Sequence, residues 1–306
     1  MAEKINRDYD TLLFTPEQVG ALGTAYLKQR RENKGMGISL GLKSIDNADK
    51  EGNCLLPLVP GELMSIITRP GNGKTSFMVR WSRDRADKLR KAGIEDRAIV
   101  YITLEQSVEE LNAFNVAAEK SLSITSMAKG EITDDQWKAC LEEGLNRRFY
   151  PLWNVGYSSM TDKRQIRVDI DGITGALELI RTKYQKEIDV VFVDYLQRIP
   201  YDRAESKTVG VSDNLDALKT IALRLKCPVV VGVQARREVD ELVPPIPGED
   251  DGQWTSNIEQ SSDKILSLVR PRKYKEIGDK FGAQIVEGNC QMLVSILKQK
   301  LGPANF

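Results

Sequence analysis

The sequence has 306 residues, of which 41% are hydrophobic and 29% are charged, so it is long enough and apolar enough for one large folded domain. Lys and Arg together number 44, as do Asp and Glu, and the net charge of zero argues against a protein that coats nucleic acid through its overall field. The absence of histidine excludes catalytic triads with a histidine base and every metal site built on histidine.

The cysteines and the amino terminus indicate the compartment. Four cysteines lie far apart without a C-x-x-C pair: Cys54, Cys140, Cys227 and Cys290. This spacing favours reduced thiols in a cytosolic protein. The amino terminus lacks the apolar core of a signal peptide, and no apolar run approaches the roughly 18 residues of a membrane helix. We therefore expect a cytoplasmic protein without a membrane partner.

Residues 1–35 are predicted to form a short helical appendage to a main domain over residues 36–306. Thr15 suits an N-cap, and Pro16 suits the first position of a helix. Four apolar residues fall on one face of this helix: Val19, Leu22, Tyr26 and Leu27. Such a face docks either on a partner surface or on the chain's own domain, and the sequence leaves both open.

From Gly61 onward, short β-branched runs alternate with helical patterns and loops, which predicts an α/β domain with a mainly parallel central sheet flanked by helices. The predicted strands are Leu63–Ile67, Ile99–Thr103, Val190–Val193, Val229–Val233, Ile265–Val269 and Met292–Leu297. Residues 105–145 are predicted to be helical, with a cap at Thr133. The stretch 236–257 is rich in Pro, Gly, Asp and Glu and is too long for a passive connection, so it is predicted to be a functional loop.

The segment after the first predicted strand has the pattern of a phosphate-binding loop. Its predicted nucleotide-binding residues are Arg69, Pro70, Gly71, Asn72, Gly73, Lys74, Thr75 and Ser76. Glycines let backbone N–H groups point at phosphate oxygens, and a helix predicted from Ser76 adds the positive end of its dipole. Lys74 is predicted to reach the β- and γ-phosphates of ATP, and Thr75 to ligate Mg²⁺. The general pattern has Gly six residues before the lysine, where this sequence has Thr68.

Three further predicted strands end in polar residues that suit hydrolysis. Asp194 follows Val190–Val193, the arrangement in which a carboxylate holds Mg²⁺. Glu105 follows the second strand and is a candidate for the group that orients or deprotonates water, although it could instead favour a helix dipole. Gln234 is a candidate sensor of the γ-phosphate, with an ordinary surface residue as the alternative.

These segments resemble the C-terminal ATPase domain of the DnaB-type replicative hexameric helicases, over roughly residues 35–303. Beside the loop, the agreeing segments read Thr-Leu-Glu-Gln-Ser at 103–107, Asp-Tyr-Leu-Gln at 194–197, Asn-Ile-Glu-Gln at 257–260 and Lys-Gln-Lys-Leu-Gly-Pro at 298–303. The resemblance implies a RecA-like P-loop NTPase fold, ATP and Mg²⁺ as cofactors, Glu105 as the catalytic base and Gln234 as the sensor. Residues 1–35 leave room only for the linker helix, which in that family packs on the neighbouring subunit.

Two departures concern catalysis and DNA. The family's arginine finger aligns with Lys300, which carries the charge but lacks the bidentate fork. In the family, this residue and the one aligned with Lys298 face the γ-phosphate of the next subunit. The DNA-contacting loop, Arg-Glu-Ser-Gly in the family, reads Gln-Trp-Thr-Ser at 253–256.

Contacts with single-stranded DNA are predicted in the 236–257 loop. Arg236 and Arg237 are predicted to meet phosphates, and Trp254 is predicted to stack on a base. The alternative is that both arginines form surface ion pairs, with Asp240, Glu241 or Glu249 as partners.

The preferred interpretation is an ATP-driven helicase or translocase that acts on single-stranded DNA as a homo-oligomeric ring, expected to be a hexamer. The alternative is a non-translocating, ATP-switched assembly or loader protein of a phage, plasmid or mobile element. A recombinase-like filament protein and a small-molecule kinase are less favoured. A loader or another replication or mobile-element protein is an expected partner.

Overall fold

The structure, a computed structural model, describes residues 14–32, 37–47, 54–146, 151–160, 167–201, 206–254, 257–271, 273–274 and 292–300. The chain divides into two units, Met1–Gly37 and Ile38–Phe306. Cys290 and the predicted motif positions 255–256 and 301–303 lie outside the described residues. No helix in the described ranges is long and apolar enough to cross a membrane.

The described part of the first unit is the helix α1, Pro16–Glu32. The predicted cap at Thr15 is confirmed, because the Gln18 N–H donates to Thr15 Oγ1 at 3.2 Å and the Thr15 N–H donates to Gln18 Oε1 at 2.8 Å. Two apolar residues of the helix, Val19 and Leu22, are more than half exposed, and so is Phe14 just before it.

The second unit is built on a seven-stranded sheet with the order β3-β2-β4-β5-β1-β6-β7. The strands are β1 Leu63–Thr68, β2 Arg97–Thr103, β3 Leu152–Val155, β4 Glu187–Asp194, β5 Val229–Gln234, β6 Lys264–Val269 and β7 Leu293–Gln299. All pairs are parallel except β6 with β7. The predicted mainly parallel sheet is therefore confirmed. The sequence prediction missed β3, a four-residue edge strand that is only partly buried.

Helices cover both faces of the sheet. They are α2 Lys43–Asp46, α3 Lys74–Lys91, α4 Val108–Glu119, α5 Ile124–Ala128, α6 Asp134–Asn146, α7 Ile170–Thr182, α8 Lys207–Leu225 and α9 Ile258–Ser261. Two 3₁₀ turns, Leu196–Arg198 and Arg237–Glu241, follow β4 and β5. The predicted helical region 105–145 contains three separate helices, because Ser123 caps α5 and Thr133 accepts the N–H of Gln136 at the start of α6.

The strands are apolar on both faces because each face packs on helices. Successive residues of a strand point to opposite sides. In β1, Leu63 and Ile67 enter the core shared with α7 and α8, whereas Met64 and Ile66 enter the core shared with α3 and α4. A sheet covered on both sides requires nearly continuous runs of apolar residues, as the sequence shows.

The parallel register brings the carboxyl ends of four strands to one edge of the sheet. Thr68 at the end of β1 pairs with Gln234 at the end of β5. Thr103 at the end of β2 pairs with Asp194 at the end of β4. Ligands of open α/β sheets bind at this edge, and the predicted nucleotide residues follow these strand ends.

Candidate nucleotide-binding site and neighbouring loops

The phosphate loop connects β1 to α3 through a tight backbone path. Gly71 and Gly73 have φ angles of 78° and 88°, which favour glycine. A Cβ at position 73 would lie 2.7 Å from Nε of Arg270, so a larger residue would displace this guanidinium group from the loop. The helix begins at Lys74, because the Phe77 N–H donates to the Gly73 carbonyl at 2.9 Å. The predicted start at Ser76 was therefore two residues late.

The loop opens onto a cavity of about 350 Å³. Loop residues line it together with residues from the ends of other strands, namely Glu105, Tyr195, Gln234 and Arg270. The predicted catalytic residues after β2 and at the end of β5 therefore share one cavity with the loop.

Lys74 extends into this cavity between an acid and an aromatic ring. Its Nζ lies 2.9 Å from Oδ1 of Asp194 and 3.6 Å from the centre of the Tyr195 ring. Gly232 on β5 makes room for the stem, since a Cβ there would lie 2.7 Å from Cδ of Lys74. Burial lowers the pKa of Lys74, and the charges of Asp194 and Glu105 act in the opposite direction. An anionic phosphate entering the cavity would meet this ammonium group.

Two hydroxyl groups donate hydrogen bonds to the Asp194 carboxylate. Thr75 Oγ1 donates to Asp194 Oδ2 at 2.6 Å, and the Tyr101 hydroxyl donates to the same oxygen at 3.1 Å. Burial and the charge of Asp194 raise the pKa of Tyr101 well above its usual range. The threonine hydroxyl and the carboxylate are adjacent oxygen ligands of the kind that Mg²⁺ takes beside nucleotide phosphates, so this pair fits the ion. Tyr101 was missed because it lies inside an apolar strand.

Glu105 lies in the turn between β2 and α4 and is exposed toward the cavity. The Thr103 hydroxyl donates to the Gln106 carbonyl at 2.7 Å and fixes this turn. The helix starts later, at a capping box formed by Ser107 and Glu110. The acidic residues in the first turn of α4 therefore interact favourably with the helix dipole, and Glu105 lies outside the helix.

The segment after β6 lies directly beside the phosphate loop and lines the cavity with it. The Arg270 N–H donates to Asn72 Oδ1 at 2.9 Å, while Asn72 Nδ2 donates to the Arg69 carbonyl at 3.2 Å. Asn72 is 1% exposed, so its side chain braces the loop from within. Arg270 forms no ion pair among the described residues and lines the cavity. Its position after the predicted strand Ile265–Val269, at the ligand edge of the sheet, is the signal that could have identified it.

Arg69 links the phosphate loop to the segment after β5. Its Nε and Nη2 donate to Asp240 Oδ2 at 3.1 and 2.8 Å, and its Nη1 donates to the Ala235 carbonyl at 2.9 Å. Partial burial acts to raise the pKa of Asp240, but the hydrogen bonds and charge of Arg69, with a hydrogen bond from Tyr274, lower it overall. Arg69 therefore anchors the loop as well as lining the cavity.

The predicted DNA residues differ in their surroundings. Arg236 Nε donates to Asp251 Oδ1 at 2.7 Å, so the alternative of surface ion pairing holds for this arginine but with a partner that the sequence did not indicate. Asp240, one of the predicted partners, is instead bound by Arg69. Arg237 is exposed and forms no ion pair within the described ranges.

Trp254 is presented at the surface in a constrained conformation. It has a φ of 58°, which is unusual for a residue other than glycine, and its side chain is 37% exposed. Lys207 Nζ, at the start of α8, lies 3.3 Å from the centre of its ring. The Lys207 ammonium thus covers one face of the indole ring as a cation–π pair.

Lys298 and Lys300 lie away from the cavity of their own chain. Because β7 runs antiparallel to β6, its end lies beside the start of β6, at the edge opposite the phosphate loop. Lys298 donates to the Glu259 carbonyl. The Lys300 side chain is 66% exposed, with Nζ 3.8 Å from Asp263 Oδ1. Neither lysine lines the nucleotide cavity of its own chain.

The strand order, the glycine loop and the lysine–aspartate–threonine constellation together define a RecA-like P-loop ATPase domain. The family model described as the DnaB-like helicase C terminal domain matches residues 37–306, and the chain belongs to that family. The predicted fold and the predicted resemblance are thus confirmed.

The chain is similar to the replicative DNA helicase DnaB of Helicobacter pylori strain 26695, with 27% identity over 244 residues, 78% of this chain and 45% of that protein. It is also similar to a probable plasmid replicative DNA helicase of Chlamydia trachomatis, with 25% identity over 268 residues, 84% of this chain and 53% of that protein. The chain thus spans about half the length of the curated relatives it matches.

Two solved structures share the fold. One, described as an ATPase domain, superposes with a TM-score of 0.73 and 19% identity, covering 94% of this chain and 93% of that one. A DnaB-like replicative helicase, solved in a study of its interactions with primase, superposes with a TM-score of 0.70 and 20% identity, covering 93% of this chain and 62% of that one.

Proposed function

We propose that this chain is the motor subunit of an ATP-dependent DNA helicase or translocase that encircles single-stranded DNA as a ring, expected to be a hexamer. The observation that carries this proposal is that the catalytic groups lie at opposite ends of the strands of one sheet. The nucleotide cavity lies at the carboxyl edge, whereas the candidate finger residues Lys298 and Lys300 lie at the other. A phosphate can meet both sets of groups only if a second subunit supplies the lysines.

Within one subunit, the cavity residues take separate roles in ATP hydrolysis. Lys74 binds the β- and γ-phosphates, and Thr75 with Asp194 would hold Mg²⁺, which supplies neutralisation of phosphate charge when bound. Glu105 orients the attacking water and accepts its proton. Gln234, at the end of β5, lines the cavity and would sense the γ-phosphate. Arg270 adds a cation from the wall after β6.

A head-to-tail ring follows from this arrangement, because each subunit offers a cavity on one side and lysines on the other. The exposed apolar residues of α1 support docking of this helix on a neighbouring subunit, which would tie the ring together. A loader or another replication or mobile-element protein would act on the same assembly.

The DNA role rests on the loop after β5. Arg237 offers an exposed guanidinium to a phosphate, and Trp254 offers to a base the ring face that Lys207 does not cover. Arg236 shapes the loop through Asp251 and contributes less free charge.

The second candidate is a non-translocating, ATP-switched assembly or loader protein of a phage, plasmid or mobile element. Lysine in the place of the finger arginine favours it, since an ammonium group stabilises transferring phosphoryl charge with poorer geometry than a guanidinium. In that case ATP binding would hold the assembly together, and turnover would be slow.

A complementation assay separates these functions. Lys300→Ala and Glu105→Gln subunits, each nearly inactive alone, are mixed in equal amounts and their co-assembly is verified with two affinity tags. About a quarter of the interfaces in a random ring then combine an intact Glu105 with an intact Lys300. We expect partial recovery of turnover, together with ssDNA-stimulated hydrolysis and strand displacement by the wild-type protein. No recovery in co-assembled rings would exclude action of Lys300 across subunits. Turnover without strand displacement would favour the assembly protein.

A further inference from the structure

Gln197 makes three hydrogen bonds that join the nucleotide cavity to the loop carrying Trp254. It lies in the 3₁₀ turn after Asp194 and is 8% exposed. Its Nε2 donates to the Gln234 carbonyl at 3.2 Å and to the Gln253 carbonyl at 2.9 Å, and its Oε1 accepts the Gln234 N–H at 3.1 Å. The resemblance in sequence singled out this residue without giving it a role.

The two segments held by this carboxamide belong to different surfaces. Gln234 ends β5 and lines the nucleotide cavity. Gln253 precedes Trp254, and its own N–H donates to the Gln234 carbonyl at 2.8 Å. One buried side chain therefore fixes both peptide groups of the sensor residue and the peptide next to the exposed aromatic ring.

Such a contact resists deformation because the Gln197 side chain is buried and its three hydrogen bonds are partly shielded from water. A buried carbonyl or N–H that loses its partner is costly, so a displacement of the β5 end is followed by the loop more readily than the bonds are broken. Trp254 has a left-handed backbone, which restricts how the loop can absorb the shift. The position of the Lys207 ammonium group over the Trp254 ring would change with the same displacement.

We propose that Gln197 is a positioning residue that couples nucleotide binding at Gln234 to the conformation of Trp254. The consequence for DNA rests on the proposed function, because Trp254 is the aromatic residue offered to single-stranded DNA. Gln197 touches neither the nucleotide nor the DNA. Its effect is on how strongly each site senses the other.

The first test uses Gln197→Met, which keeps the length of the side chain and removes its hydrogen bonds. Intrinsic tryptophan emission is recorded while ADP with Mg²⁺, or a non-hydrolysable ATP analogue with Mg²⁺, is added without DNA. In the wild-type protein we expect an emission change that is absent in Trp254→Phe. In Gln197→Met we expect nucleotide affinity to be retained and this change to be lost.

The second test measures coupling to DNA in the same variants. The ratio of oligo(dT) affinities with the ATP analogue and with ADP is expected to shrink by roughly fivefold or more in Gln197→Met, a typical coupling between sites. Turnover without DNA should stay close to wild type. Stimulation by DNA should fall.

Asn214→Leu is the matched control. Its Nδ2 donates to the Ile199 carbonyl at 3.0 Å, so it braces the chain beside the same 3₁₀ turn without touching Gln234 or Gln253. Both signals should persist in this variant. Loss of both signals in Asn214→Leu would mean that general loosening of the turn is sufficient, and the specific role of Gln197 would be rejected.

An unchanged Trp254 signal in a folded Gln197→Met protein overturns the proposal, as does a wild-type protein whose Trp254 does not respond to nucleotide. If Gln197→Met fails to fold, amide hydrogen exchange of the wild-type protein decides: the peptide containing Gln253 and Trp254 must change its exchange when nucleotide binds. The fluorescence measurement contains no DNA. A nucleotide signal that depends on Gln197 in a protein that does not bind DNA would therefore reject the helicase and keep the coupling.

Discussion

The carboxyl edge of the sheet and the loop after β5 differ in how their functional groups are held. At the edge, the Asp194 carboxylate is buried among Lys74, Thr75 and Tyr101, with each contact between 2.6 and 3.1 Å. In the loop, Arg237 and Trp254 are exposed, and Arg236 is paired with Asp251. Buried groups act on charge at low dielectric, whereas exposed groups are screened by salt. Substitutions at the edge should therefore have large effects that salt changes little, and those in the loop small effects that salt erases.

The largest effect is expected from Lys74→Ala, which removes a cation that lines the cavity and is only 12% exposed. Nucleotide binding and turnover should both fall below detection, because no other described residue places an ammonium group between Asp194 and the cavity. The fold should remain intact, since Asp194 keeps its bonds from Thr75 and Tyr101. Fluorescent-nucleotide binding, a turnover assay and thermal unfolding measure these three quantities.

Lys186→Ala is the control for this experiment, because that lysine donates to the Glu95 carbonyl at the surface, away from the cavity. Nucleotide binding that survives in Lys74→Ala would remove this lysine from the site and would break the contrast between edge and loop.

Glu105→Gln should separate binding from chemistry. The amide keeps the size of the side chain but cannot accept a proton, and general-base catalysis contributes about 10²–10⁴-fold to a rate. We expect kcat to fall by that order while nucleotide affinity stays near wild type. Steady-state turnover and equilibrium binding, measured on the same preparation, give both numbers.

Glu109→Gln is the matched control, because Glu109 lies four residues later in the first turn of α4, where hydrogen bonds to Ser158 and Ser159 lower its pKa to about 2. Its turnover should resemble wild type. Equal losses in both variants would point to the helix start and not to a catalytic base.

A smaller effect is expected from Tyr101→Phe, which removes one donor to Asp194. A hydrogen bond to a charged group contributes about 1.5–3 kcal/mol. Because this bond helps to position the carboxylate, the apparent affinity for Mg²⁺ should fall by about tenfold or more. The phenylalanine ring can still stack on Phe192, whose centroid lies 6.0 Å from that of Tyr101, so the packing around this strand should be retained. Mn²⁺ binding followed by electron paramagnetic resonance, with nucleotide present, reads the site without relying on turnover.

Tyr184→Phe is its control, because that tyrosine is half exposed and packs on Trp153 away from the cavity. An unchanged metal affinity in Tyr101→Phe would show that Thr75 and Lys74 alone position the carboxylate.

The sequence was sufficient to predict features that depend on a short contiguous segment or on a buried strand. The glycine loop, Asp194 at the end of β4 and six of the seven strands were predicted from local patterns. The edge strand β3 was missed because it is short and half-buried, so it carries little of the β-branched signal.

Contacts that depend on the register between distant strands could not be predicted. Asn72 meets the backbone of Arg270 across 198 positions of the chain, because β1 and β6 are neighbours in the sheet. The link from Tyr101 to Asp194 spans 93 positions. In each case local sequence shows a polar residue without a partner, and only the strand order supplies that partner.

The smallest effect is expected in the loop, where Arg236 and Arg237 form a matched pair of neighbours. Each phosphate contact on single-stranded DNA contributes about 0.7 to the slope of log affinity against log salt. Arg237→Ala should lower the slope by about that amount because its charge is free. Arg236→Ala should leave the slope nearly unchanged, because Asp251 already compensates that charge at 2.7 Å. Fluorescence anisotropy of labelled oligo(dT) across a salt series provides both slopes.

An equal decrease in both variants would mean that the Arg236–Asp251 pair opens on DNA, so that exposure in the free chain does not decide which arginine binds. No decrease in either variant would remove the loop from the phosphate contacts and would favour the assembly protein over the translocase.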